Sequence, residues 1–199
     1  MIHGGNLIMK NSVDITRGYQ IGHMILWHLA AAMVCIVFEL VACWYFLDQP
    51  VARYVIAGIF TVVYAFLIYD RAHKFAAFDA KSYTPLQPEL KWGLIWGVCI
   101  AGITAAAIVI YRLNWMFFSV DGAMTNIFSI IINLMFNLWT APYFGFISDT
   151  NGIIPIFAMV LMIVVPIISS VLGYFAGMKH FDIIAALDSL TVEKTEEDE

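Results

Sequence analysis

Three ionisable side chains, His23, His28 and Glu39, stand in an otherwise apolar stretch that runs from Gly18 to Leu47, between Arg17 and Asp48. On a helix of 3.6 residues per turn, His28, Ala32, Cys35, Glu39 and Cys43 share one face and form a semi-polar stripe. Such a stripe offers proton or cation transfer, with Glu39 exchanging protons through water or a partner helix. His28 and Glu39 stand about 16 Å apart by helical rise, so they do not pair directly and a relay needs intervening groups. Two plainer roles compete with transfer. In the primary one, Glu39 clasps an outer segment through Asn133, Asn137 or Trp115; in the other, it faces a partner protein.

Other chemistries find less support. Cys35 and Glu39 lie one turn apart, but a metal needs three or four ligands and His28 is too far along the helix to join them. No metal and no other cofactor is expected. His23 and His28 do not make the His-Glu-x-x-His pattern of a metalloprotease, and Ser129, Ser169 and Ser170 have no histidine nearby in sequence to act as a base. The chain is therefore read as non-enzymatic. Cys35, Cys43 and Cys99 all fall in apolar stretches and give no disulfide framework. Asn133 and Asn137, one turn apart, more often knit helices together than line a cavity.

The elements that must position these residues follow from composition. Of 199 residues, 62% are hydrophobic and 13% charged, with a mean hydropathy of +0.84, whereas charged residues make up about a quarter of a soluble protein. This is an all-α integral membrane protein whose first partner is the lipid bilayer. Basic residues are nowhere concentrated enough for nucleic acid. A hydrocarbon core about 30 Å thick needs about 20 apolar residues per helix. Candidate spans are residues 18–47, 51–69, 92–111 and 150–178. The first acts as its own insertion signal, and Arg53 snorkels to let the second reach across. The charged segment from Asp70 to Lys91, interrupted by Pro85 and Pro88, reads as a loop, and Pro155 and Pro166 as kinks in the last span.

On the third span Gly93, Gly97, Ala101 and Ala105 recur every fourth residue, and the last carries Ser169, Gly173 and Gly177 at the same spacing. Small residues let helix backbones approach closely, so these two helices are expected to pair. Residues 122–148 are uncharged but hold Asn126, Asn133, Asn137, Thr140, Pro142 and Gly145. They read as a re-entrant or interfacial helical segment, giving four transmembrane helices; the alternative is a fifth crossing. With four spans, Lys10, Arg17, Arg71, Lys74, Lys81, Lys91, Lys179 and Lys194, eight of the ten Lys and Arg residues, share one side. The bias of Lys and Arg toward the cytoplasm then places both termini inside the cell.

The organisation expected is a cytoplasmic N-terminal segment (1–17), one transmembrane helical domain (18–178) and an acidic cytoplasmic tail (179–199) in the plasma membrane. In the tail, Ile183, Ile184, Leu187 and Leu190 continue the last helix more readily than they make a docking helix. With no motif for a substrate or reaction, the expected function is a scaffold or accessory subunit of a membrane complex, with a membrane-protein partner or a second copy of itself. The alternative is a small oligomeric ion- or proton-coupled transporter or channel built around Glu39.

Overall fold

The computed structural model describes residues 3–45, 49–80, 87–120, 123–124, 126–147 and 153–179; in the first helix the described side chains are those of 17–38, 41 and 42. The chain is an all-α membrane bundle. Its helices are α1 (His3–Tyr45), α2 (Pro50–Asp79), α3 (Lys91–Phe118), α4 (Ile127–Trp139), α5 (Phe144–Ile147) and α6 (Ile156–Met178). Four of them contain segments long and apolar enough to cross a membrane: Arg17–Phe38, Val51–Asp79, Lys91–Phe118 and Ile156–Met178. Short strands β1 (Ser119–Val120) and β2 (Ala123–Met124) pair antiparallel between α3 and α4.

Local chemistry sets the helix ends. Pro50 opens α2, where its missing N–H costs nothing. The Asn126 side chain caps α4 by accepting from the Phe128 N–H at 3.0 Å. Pro155 sits at the N-cap of α6, so only Pro166 lies inside that helix, and the expected kink at Pro155 is instead a helix start. The segment after Tyr69 departs further from the sequence reading: Asp70 to Asp79 is helical, not loop. Its charges allow this because Lys74 pairs with Asp70 one turn away at 2.7 Å and Asp79 pairs with Arg17.

Glycines bring α6 against its neighbours, though not in the single pairing expected. A Cβ on Gly93 would sit 2.7 Å from the Tyr174 Cβ, and one on Gly97 2.6 Å from the Ile167 Cα, so these two glycines seat α3 on α6. Gly173 and Gly177 face α2 instead, against the carbonyl oxygens of Tyr69 and His73. One helix thus uses separate faces for two close partners. Since lipid tails are as apolar as Leu, such contacts act through dispersion and close backbone approach, not through release of water.

These contacts fix the direction of each helix. The C-terminal half of α6 meets the C-terminal half of α2 and the start of α3. Arg17 bonds Asp79 and lies over Trp92, so the start of the α1 span shares this end too. We call it the basic end.

Between α3 and α6 the chain enters the bundle and comes back. Asn114 Nδ2 donates to the Ser129 carbonyl at 3.2 Å, Tyr111 stacks on Phe136 at 4.1 Å, and Trp139 Nε1 donates to Thr104 Oγ1 at 2.9 Å. On α3 those positions move steadily away from the Phe118 end, by about 15 Å of helical rise, roughly half of a hydrocarbon core. There the helix breaks at Thr140, passes through a 3-10 turn (Ala141–Tyr143), and continues after a bend of 78°. The return runs along α2: Tyr143 packs on Tyr64, Thr61 Oγ1 donates to the Pro142 carbonyl, Gly145 lies against Arg53 and Ala57, and Phe146 stacks on Tyr54. The order 64, 61, 57, 54 leads back toward Pro50, the end opposite the basic one. The bent pair is a re-entrant hairpin, and among the described residues the bundle has four helices that cross.

In a variant lacking native cysteines, Asn126→Cys and Ile153→Cys should therefore react with an impermeant thiol reagent from one side of the membrane and Glu89→Cys from the other. Labelling of Ile153→Cys from the Glu89 side would overturn the hairpin.

Candidate functional site

The apex of the hairpin rests on His28. This side chain is 2% exposed, in a setting where α1, α2 and the helix break converge. Its Nε2 lies 3.2 Å from the Trp139 carbonyl and its Nδ1 2.7 Å from the Tyr64 hydroxyl. A carbonyl can only accept, so Nε2 carries the proton and donates to Trp139; in the neutral ring Nδ1 then accepts from Tyr64. The indole of Trp139 lies against the imidazole with ring centroids 4.2 Å apart.

The arrangement follows from the break itself. Carbonyls in the last turn of a helix lack an intrahelical donor, and in a bilayer no water replaces it. At this break the missing donors come from other elements: His28 from α1 serves Trp139 and Thr61 from α2 serves Pro142. Thr140 Oγ1 donates back to the Phe136 carbonyl at 2.8 Å, and Thr104 Oγ1, accepting from Trp139 Nε1, itself donates to the Ile100 carbonyl. Irregular backbone at membrane depth is thereby covered by protein. Cys35 is also fully buried in the core. The Tyr143 hydroxyl, 5.8 Å between ring centroids from Tyr64, is buried without a hydrogen-bond partner.

A second polar cluster closes the basic end. Arg17 Nη1 donates to Asp79 Oδ2 at 2.5 Å and to Gln20 Oε1 at 2.9 Å, while Nη2 donates to the Gln87 carbonyl at 2.8 Å. Gln20 Nε2 donates to Asp79 Oδ1 at 2.8 Å, and the Tyr174 hydroxyl donates to Asp79 Oδ2 at 2.9 Å. Arg17 stands 4.5 Å over the Trp92 ring. Both charges are buried, and the cluster ties α1, α2, α6 and the approach to α3 together.

The residues singled out from sequence separate in space. His28, Ala32 and Cys35 face the protein, as a semi-polar stripe must, and are buried; the side chains of Glu39 and Cys43, residue Asp149 and the tail 180–199 lie outside the described residues. Asn137 Nδ2 donates to Asn133 Oδ1 at 3.3 Å, so these half-buried amides bond each other along α4. Ala101 and Ser169 are buried in the packed faces of α3 and α6. Sequence reasoning did not find Tyr64, Thr61 or Trp139 as partners of the break, nor the Arg17–Asp79 pair. For the pair a signal existed: Arg17 and Asp79 are opposite charges that the four-span topology places on the same side. Among the described residues no group of three His, Cys, Asp or Glu is placed to hold a metal.

Fold and site together define a polytopic α-helical membrane protein with a re-entrant hairpin pinned at mid-depth by a histidine. No family model, curated protein or solved structure matches the chain.

Proposed function

We propose that this protein is a non-enzymatic scaffold or accessory subunit of a membrane assembly, working in the plasma membrane with both termini in the cytoplasm. The observation that carries the reading is the use of both His28 nitrogens in holding the hairpin. This buried imidazole thus serves as a helix-end donor, a role that builds a rigid element. The mutual satisfaction of Arg17, Gln20, Asp79 and Tyr174 supports the same view. Orientation rests on the basic end, which gathers Arg17, Arg71, Lys74, Lys91 and Lys179. The partner is another integral membrane protein or a second copy of this chain.

To test this, the tagged full-length chain is cross-linked in its native membrane and then purified in mild detergent. The expected result is one specific partner, or a second copy, at a fixed ratio. Recovery of a lone monomer after cross-linking would overturn the reading.

One feature favours a second reading, a small proton- or ion-coupled transporter: interrupted helices at mid-membrane depth are a recurrent way to expose backbone dipoles to ions, and here the interruption touches an imidazole. Proton flux in liposomes that is abolished by Glu39→Gln in a folded protein supports transport, whereas flux that persists in the variant removes Glu39 from any pathway.

A further inference from the structure

Arg71 carries a charge that the described bundle does not neutralise. The uncharged run of α2 ends at Tyr69, so Arg71 stands where the hydrocarbon gives way to headgroups at the basic end, level with the close of α6 where Gly177 meets His73. Its guanidinium lies 4.7 Å from the Phe75 ring and 5.3 Å from the Trp27 ring, which fix its position. Nη2 is 2.7 Å from His23 Nε2. A guanidinium only donates, so the imidazole nitrogen accepts and brings no negative charge.

The described carboxylates nearby are paired. Asp70 pairs with Lys74, and Asp79 with Arg17. Among the described residues no carboxylate pairs with Arg71, and its Nε is buried without a partner. Tyr19, 66% exposed on α1, packs its ring against His23, and the exposed Lys74 lies one turn from Arg71 on α2.

We propose that Arg71 binds the phosphate of an anionic glycerophospholipid in the leaflet at the basic end. The guanidinium donates to phosphate oxygens by charge-assisted hydrogen bonds, and a single phosphodiester carries a negative charge that none of the described residues brings to Arg71. Tyr19 supplies an amphipathic ring of the kind that settles at headgroup level, and Lys74 adds attraction for a leaflet rich in anionic lipid. A zwitterionic lipid brings its own cation toward the same groups and binds less well.

The test is native mass spectrometry of the full chain in micelles doped with phosphatidylglycerol or with phosphatidylcholine. Wild type should keep a bound phosphatidylglycerol in preference to phosphatidylcholine. Arg71→Gln should lower that retention about tenfold, the loss expected for one charge-assisted contact, and Arg71→Lys should retain part of it. Equal retention of both lipids, or unchanged retention in Arg71→Gln, would sink the proposal, as would displacement of the lipid by inorganic phosphate, which marks a site for free anions. A photoactivatable phosphatidylglycerol applied to wild type keeps the question answerable if Arg71→Gln does not fold: cross-links within residues 19–27 and 70–75 support the site, and cross-links confined elsewhere overturn it.

Discussion

Asp79→Ala should destabilise the bundle by about 3 kcal/mol or more, because it leaves the Arg17 guanidinium buried without its counter-charge. The carboxylate accepts from Arg17, Gln20 and Tyr174 at once, and both partners of the ion pair are almost fully buried. Its removal therefore strands a charge and two polar groups together. Tyr174→Phe, which removes one hydrogen bond to a charged acceptor, should cost less, about 1.5 kcal/mol. The double variant Arg17→Leu/Asp79→Leu should recover much of the loss, since a well-packed apolar pair often replaces a buried ion pair at little cost. Unfolding of the purified protein by a graded denaturing detergent measures all three. Stability of Asp79→Ala within about 0.5 kcal/mol of wild type, the range of an ordinary surface change, would show that the pair contributes nothing.

The second large effect is expected at Gly173. A side chain there meets the backbone oxygen of Tyr69 and lies 3.0 Å from the Ala72 Cβ. Backbone cannot rotate aside as a flexible side chain does, so α2 and α6 must separate along the whole contact. Gly173→Ala should cost about 1–3 kcal/mol and Gly173→Leu more, the range seen for overpacking. Gly102 provides the control: a Cβ there meets nothing within 4 Å, and Gly102→Leu should leave both folding and unfolding unchanged. Loss of folded protein in Gly102→Leu but not in Gly173→Leu would reverse the assignment of the close-packed face. In a soluble protein the same clash is offset in part by apolar burial; in lipid that gain is absent, which is why small residues matter so much here.

Much of this fold was legible in the chain because a bilayer leaves few solutions. Backbone groups must be satisfied inside the segment that crosses, so an apolar run of sufficient length is a helix, and the charges that bound it mark its ends. Lys91 to Arg112 on α3 is the plainest case. The small residues at 93, 97, 173 and 177 announced close helix contacts by their spacing alone. The proline and amides of residues 122–148 announced a segment unlike the others, since a regular span has no need of them.

Other features depended on tertiary structure. Periodicity places Gly173 on a face of α6 but does not say which helix comes to that face, and α2 takes it while α3 takes another. Asp70 to Asp79 looked like a loop because its charges were counted as exposed; paired with Lys74 and Arg17, they permit a helix. The candidate site shows the same division. The residues around His28 established that this face of α1 must meet protein, but its meaning came from Trp139, 111 positions away, whose carbonyl lost a donor at the break. Sequence alone thus determined which segments enter the membrane, since hydrophobic length and charge are properties of each segment by itself. The partner of each buried polar group was decided only in the assembled bundle, because a hydrogen bond needs two groups brought within about 3 Å, and that distance belongs to the packing.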